Sequence, residues 1–319
     1  MRKKPTAAFL DFATMGPNVE TQSLDALVDA TYFPYSQGKD LADRLATAEI
    51  AIVNKVKLDR NSIAAAPRLR LIALSATGID NIDCKAAEER GIGVANTRGY
   101  ASGAVAQHVF ALVLGLTNHV ARYDALVRAD AWRQSPSFAL FDYPIRELAG
   151  RSLGVVGFGA LGRAVAALGR CFGMEILVST RVRDEPEVGR VPFTTLLRTA
   201  DVVSLHCPLT AETHHLIGAA QVKLMKPDAL LINTARGGLV DGAALAAALK
   251  SGTIGGAGID VLPVEPPLAD EPLLAPGIPN LLITPHIAWA AREARQRALE
   301  QVAENVAAYL RGERLRRVV

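Results

Sequence analysis

The stretch Leu153-Gly154-Val155-Val156-Gly157-Phe158-Gly159-Ala160-Leu161-Gly162 constrains this chain more than any other. A buried apolar run is followed at once by G-x-G-x-x-G and then by a helix-forming segment reaching to about Gly173. In a strand–turn–helix unit of a parallel sheet each glycine has a job. Gly157 makes the tight turn, Gly159 lets the backbone approach a pyrophosphate, and Gly162 lets the helix pack close to the strand. Backbone N–H groups of Gly159, Ala160 and Leu161 at the helix start then face the anion. The turn predicts a bound dinucleotide.

The rest of the chain agrees with an α/β architecture, because short apolar runs alternate with helix-length segments nearly throughout. Strands are expected at Ala7–Phe12, Ala30–Phe33, Ile50–Asn54, Leu69–Leu74 and Ile92–Ala95, which make one small doubly wound sheet. A second series follows at Leu153–Gly157, Glu175–Thr180, Val202–His206, Ala229–Asn233, Gly258–Val261 and Leu281–Thr284. Between the two, one long helical segment is expected from Ala101 to Ala129, and a last helix from Ala288 to Leu310, packing back on the first body. At ~150 residues per domain, 319 residues make two domains.

Composition excludes several classes. A 21% charged and 50% hydrophobic chain folds rather than staying disordered. Its net charge of +3 has no dense basic surface beyond Arg2 to Lys4 and Arg311 to Arg317, so nucleic acid is not an expected partner. Cys84, Cys171 and Cys207 are odd in number and lack metal spacing, which points to reduced thiols. No signal peptide or uncharged apolar run of ~18 residues occurs, so a cytoplasmic protein with no membrane partner is expected. His214-His215 is not read as a metal pair, since neighbours on a helix point apart.

The second strand of the dinucleotide unit ends in Ser179-Thr180-Arg181 rather than in the carboxylate that would bind the ribose 2′-hydroxyl of NAD. Thr180, Arg181 and Arg183 sit where a 2′-phosphate would project, so NADP(H) is favoured, with NAD(H) as the other possibility.

Further motifs follow in order: Ser75-Ala76-Thr77-Gly78-Ile79-Asp80, Ala104-Val105-Ala106-Gln107-His108, His206-Cys207-Pro208, Asn233-Thr234-Ala235-Arg236-Gly237-Gly238, Asp260-Val261-Leu262-Pro263-Val264-Glu265-Pro266 and Thr284-Pro285-His286. Together they resemble the D-isomer-specific 2-hydroxyacid dehydrogenases over nearly the whole chain. Asn54-Lys55-Val56 with the spaced Trp132, Ser135 and Phe138 is most similar to the branch of glycerate dehydrogenases and hydroxypyruvate/glyoxylate reductases. The resemblance implies a flavodoxin-like substrate domain (1–98 plus 288–319) and a Rossmann cofactor domain (99–287). It also implies a cleft between them and a homodimer built on the segment after Ala101.

The chemistry implied is reversible reduction of a small 2-keto acid to the D-2-hydroxy acid. Hydride reaches the carbonyl carbon while negative charge grows on oxygen, so a proton donor must stand within hydrogen-bond reach. By resemblance His286 is that donor, Glu265 orients its other nitrogen and favours the imidazolium, and Arg236 binds the substrate carboxylate through its planar donors. Ala76, Thr77, Gly78 and Ile79 would hold the carboxylate through backbone N–H groups, with Trp289 walling the pocket. Asp260 would meet the nicotinamide carboxamide. Val105, His206, Cys207, Pro208, Thr213, Thr234, Ala235 and His286 would line the cofactor path, so Cys207 has no nucleophilic role. Two readings compete: a D-3-phosphoglycerate dehydrogenase, for which the chain lacks room for an appended regulatory domain, and a dinucleotide-sensing corepressor on the same fold. A formate dehydrogenase is disfavoured, because formate has no keto oxygen to protonate.

Overall fold

A computed structural model describes residues 3–180 and 189–319. The chain divides into two compact units, Met1–Ala101 with Trp289–Val319, and Ser102–Ala288.

In the first unit β1 (Thr6–Phe9), β2 (Asp29–Tyr32), β3 (Ile50–Val53), β4 (Leu71–Leu74) and β5 (Gly93–Ala95) form a sheet of order β2-β1-β3-β4-β5. Every neighbouring pair is parallel. β3 reads Ile-Ala-Ile-Val and β4 Leu-Ile-Ala-Leu, and every one of these residues is buried, as expected of strands covered by crossovers on both faces. Leu10, Leu45, Leu58, Ile63 and Ile72 fill this core. The helix Arg292–Leu310 also belongs to this unit, packing on β4 and on the short helix Gln22–Asp25. Its buried stripe is Ala294, Ala298, Leu299, Val302 and Val306. Residues 316–319 run antiparallel along β5, with the Val318 N–H donating to the Val94 carbonyl at 2.8 Å, and so cover a sheet edge.

In the second unit β6 (Ser152–Val156), β7 (Glu175–Val178), β8 (Val202–Leu205), β9 (Leu230–Asn233), β10 (Gly256–Ile259) and β11 (Leu281–Ile283) form a parallel sheet of order β11-β10-β9-β8-β6-β7. The chain leaves β6 toward β7 on one side and returns to β8 on the other. The carboxyl ends of β6 and β8 therefore flank the switch point at which open α/β sheets bind ligands. Beyond β7 a parallel bridge joins Ser179 to Val191.

Each strand expected from the apolar runs is present, with shifted ends: β1 stops at Phe9, with Phe12 in the 3-10 turn Phe12–Met15, and β10 starts at Gly256 rather than Gly258. The helices need two corrections. The expected single span from Ala101 to Ala129 is two helices, Ser102–Asn118 and Val120–Arg128, bent by 52°. His119 makes the break with φ at +52°, its ring buried 5.6 Å from that of Tyr143. The last helix begins at Arg292 rather than Ala288, because the N–H groups of Ile287 and Ala288 are drawn to the Asp260 carboxylate. No single described helix is long and apolar enough to cross a membrane.

Candidate active site

The glycine turn forms as its spacing requires. Gly157 has φ at +95°, and a Cβ there would lie 2.5 Å from the Cys207 amide nitrogen and 2.6 Å from the His206 carbonyl carbon. The exit of β6 is thus pressed against the exit of β8. A Cβ on Gly162 would lie 2.1 Å from the Gly157 oxygen, which fixes the helix Ala160–Cys171 close to its strand. Gly159 differs: nothing lies within 4 Å of its Cβ position. That open side, at the first turn of a helix whose leading amides have no helical acceptor, fits a pyrophosphate.

Beside this crevice Thr234 Oγ1 after β9 and His206 Nδ1 after β8 are buried with no hydrogen-bond partner among the described residues. A bound polar ligand would satisfy them. His206 Nε2 contacts Ser204 Oγ at 2.8 Å, and burial pushes its pKa down to about 4, so the ring is neutral near pH 7. Burial pushes the Cys207 thiol up to about 11, which keeps it protonated and non-nucleophilic. Thr213 Oγ1 donates to the Pro208 carbonyl at 2.8 Å and accepts from the Thr210 N–H at 2.7 Å, stapling the loop after β8. Val105 is buried in the helix Ser102–Asn118. Thr180 is buried, its N–H on the Val191 carbonyl at 2.8 Å, while Arg181 and Arg183 lie outside the described residues. Sequence reasoning passed over Arg190, whose Nη1 donates to the Ser179 carbonyl at 3.1 Å and brings a guanidinium to the end of β7.

The three expected catalytic residues follow the carboxyl ends of three adjacent strands: Arg236 after β9, Glu265 after β10 and His286 after β11. His286 Nδ1 is 2.5 Å from Glu265 Oε2, while Glu265 Oε1 accepts the Leu262 N–H at 2.9 Å. Both side chains are partly exposed, at 23% and 34%. With Nδ1 engaged, Nε2 is the nitrogen left to exchange a proton with a substrate. Arg236 Nη1 donates to the Ala235 carbonyl, and Asn233 Nδ2 donates to the Arg236 carbonyl, holding the turn. Gly237 is the residue the sequence reading undervalued. A Cβ there would fall 2.0 Å from the Leu262 carbonyl carbon, so this glycine lets the Arg236 turn pack on the loop that carries Glu265.

Asp260 has a second, structural part beside the one expected of it. Its side chain is fully buried and engaged chiefly with its own loop. Oδ1 accepts from Thr284 Oγ1 at 2.6 Å and the Ile287 N–H at 2.9 Å, and Oδ2 from the Ala288 N–H at 2.9 Å. Its backbone oxygen accepts the His286 N–H at 2.8 Å. Asp260 holds the loop on which His286 stands.

In the first unit the loop Ala76 to Ile79 leaves β4. The Ala76 and Thr77 carbonyls accept from the Thr97 N–H and Asn96 Nδ2, while the N–H groups of Thr77, Gly78 and Ile79 have no partner among the described residues. Trp289, half-buried, belongs to this unit. Asp11, not singled out from sequence, is 2% exposed and accepts the N–H groups of Asn54, Lys55 and Val56 at 2.6–3.1 Å. Asn81 Nδ2 then donates to the Val56 carbonyl at 2.8 Å. His214 and His215 also differ from expectation: their rings stack 4.0 Å apart, because His215 has φ at +51° in a turn rather than a helix. Among the described residues no cluster suited to a metal occurs.

A glycine turn at the switch point of a parallel sheet, with a histidine–carboxylate pair at the same edge, defines a nicotinamide-dependent dehydrogenase. Residues 110–288 match the family described as D-isomer specific 2-hydroxyacid dehydrogenase, NAD binding domain. A glycerate dehydrogenase of Methylorubrum extorquens is 44% identical over 302 residues, covering 92% of this chain and 95% of that protein. A glyoxylate reductase of Thermococcus litoralis is 43% identical over 266 residues, covering 81% and 78%. Among solved structures, an acyclic imino acid reductase in complex with NADPH and D-Arg superposes with a TM-score of 0.86 at 28% identity, covering 98% and 100%. This chain belongs to the D-isomer-specific 2-hydroxyacid dehydrogenase family and is an oxidoreductase acting on the CH–OH group.

Proposed function

We propose that the chain reduces hydroxypyruvate or glyoxylate to the D-2-hydroxy acid with NADPH, and runs the reverse oxidation. The 2.5 Å contact between His286 Nδ1 and Glu265 Oε2, at the carboxyl edge of a dinucleotide-binding sheet, carries the reading. The nicotinamide, when bound, supplies the hydride. His286 Nε2–H gives the proton to the carbonyl oxygen, Glu265 stabilises the imidazolium, and Arg236 binds the carboxylate and polarises the carbonyl. The second unit holds the cofactor through Gly157, Gly159, Gly162 and Thr234. In the first unit the amides of Thr77, Gly78 and Ile79, which have no partner among the described residues, suit a carboxylate.

NADPH is preferred because no carboxylate ends β7, while Thr180 and the guanidinium of Arg190 stand at its exit, with Arg181 and Arg183 following in sequence. A charge-assisted hydrogen bond contributes ~1.5–3 kcal/mol, which corresponds to roughly a 10- to 150-fold preference in kcat/KM. A homodimer is supported by Val120, Val127, Trp132, Phe138, Phe141 and Ile145, all exposed on one stretch, with Phe138 at 89% and Phe141 at 81%. Three free thiols suit a reducing compartment such as the cytoplasm.

The test is steady-state oxidation of NADPH and NADH with hydroxypyruvate, glyoxylate, pyruvate and 3-phosphohydroxypyruvate. Turnover of the first two, faster with NADPH, is expected. Preference for the phosphorylated acid would replace the substrate, equal use of NADH would remove the cofactor preference, and no turnover would overturn the reading.

A further inference from the structure

We infer that His108, in the helix Ser102–Asn118, is a positioning residue for the acid–base histidine, acting through a proton-ordered chain from its ring to Thr284 and on to Asp260. The inference rests on the reading of His286 as proton donor. The chain is short: His108 Nε2 lies 2.9 Å from Thr284 Oγ1, Thr284 Oγ1 lies 2.6 Å from Asp260 Oδ1, and Nε2 is 3.5 Å from that same carboxylate oxygen.

The proton order follows from counting hydrogens. A threonine hydroxyl has one, and the carboxylate only accepts, so at 2.6 Å that hydrogen goes to Asp260. The Thr284 oxygen is then left to accept, and His108 Nε2 must carry the hydrogen it receives. A bare Nε2 would set two acceptors against a single hydroxyl hydrogen and leave a lone-pair repulsion inside the fold.

What the chain holds is the loop of the reacting group. Asp260 gathers the Thr284 hydroxyl and the N–H groups of Ile287 and Ala288 on its carboxylate, and the His286 N–H on its backbone oxygen. His286 itself has φ at +55°, a conformation that non-glycine residues keep only where surrounding bonds impose it. The Asp260 side chain is fully buried and that of His108 is 17% exposed. Removing the His108 donor leaves the Thr284 oxygen short of a hydrogen and weakens the polarised hydroxyl's bond to Asp260, so one tie of the loop loosens. A displacement of about 1 Å in a reacting group costs up to ~100-fold in rate.

The experiment compares His108→Leu, His108→Gln and Thr284→Val with the unaltered protein. It reads kcat and KM for the keto acid, cofactor affinity by fluorescence titration, and thermal midpoint. His108→Leu is expected to lower kcat by about 10- to 100-fold with keto-acid KM and cofactor affinity within about twofold. His108→Gln, whose amide N–H can reach the same oxygen, should recover most of kcat, and the Leu/Val double variant should cost no more than the worse single. A folded His108→Leu with unaltered kcat, or a loss that Gln does not recover, overturns the inference. If the Leu variant does not fold, Thr284→Val and the ring proton decide together: unaltered kcat there overturns it, and a loss of about 10- to 100-fold together with a protonated Nε2 supports it. An arm independent of turnover reads the His108 ring by long-range 1H–15N NMR. A protonated Nε2 is expected, and an Nδ1–H tautomer overturns the proposal. If the unaltered protein turns over no keto acid while the Nε2–H signal is present, the proposed activity fails and the proton order stands.

Discussion

His286 is held away from the usual backbone regions at φ +55°, with Nδ1 committed to Glu265, so its chemistry is confined to Nε2. His286→Ala should therefore lower kcat for keto-acid reduction by ~10²–10⁴-fold while leaving dinucleotide affinity in place. Kinetics near the unaltered values would remove His286 from the reaction. A second histidine makes a prediction about stability. The folded protein keeps His206 neutral, with its pKa lowered from 6.5 to about 4, whereas the unfolded chain takes up a proton at the ordinary value. Between these two values the unfolded state binds more protons, so the His206 contribution is full above pH 6.5 and is lost as pH falls toward 4. At ~1.4 kcal/mol per unit this is on the order of 3 kcal/mol. Urea titrations from pH 7 to 4.5 should show the unaltered protein losing more stability than His206→Gln, and parallel curves would remove this assignment.

Among the elements, the glycine turns separate two effects of a single methyl group. Gly237→Ala drives a Cβ into the Leu262 carbonyl, so the Arg236 turn and the Glu265 loop must part, costing ~1–3 kcal/mol of stability and most of kcat. Gly159→Ala meets open space, so its thermal midpoint should hold while dinucleotide affinity falls. Equal melting of both variants would contradict the difference in packing. These elements also show what the sequence makes visible. β3 and β4 are legible because a strand buried on both faces must be apolar at every position, and the G-x-G-x-x-G turn because Gly157 and Gly162 answer local steric demands while Gly159 keeps the helix start open. The partnership of His286 with Glu265 is legible only through motif order, since 21 positions separate them. The Asp11 clamp on Asn54, Lys55 and Val56 spans 43 positions or more and draws on backbone amides, which carry no residue signature. His119 is hidden for another reason: its left-handed backbone is imposed by burial against Tyr143, while its neighbours read as uninterrupted helix.

Across the whole molecule, the chain crosses from the first unit to the second at Ala101 and returns at Trp289, so the second unit is an insertion within the first. A fragment of residues 102–288 contains its whole sheet and should fold alone. A fragment of residues 1–101 lacks the helix Arg292–Leu310, whose Leu299, Val302 and Val306 are fully buried, and should stay aggregation-prone until 289–319 is supplied in trans. Circular dichroism and amide exchange on the two fragments would decide this, and a cooperatively folded 1–101 would contradict it. The insertion also inverts the order of birth and completion on the ribosome. The five strands made first must wait, with β4 uncovered, while the entire dinucleotide unit emerges and closes. The unit begun first of the two is thus the last to mature, and that interval is when a chaperone would find the nascent chain most in need of shelter.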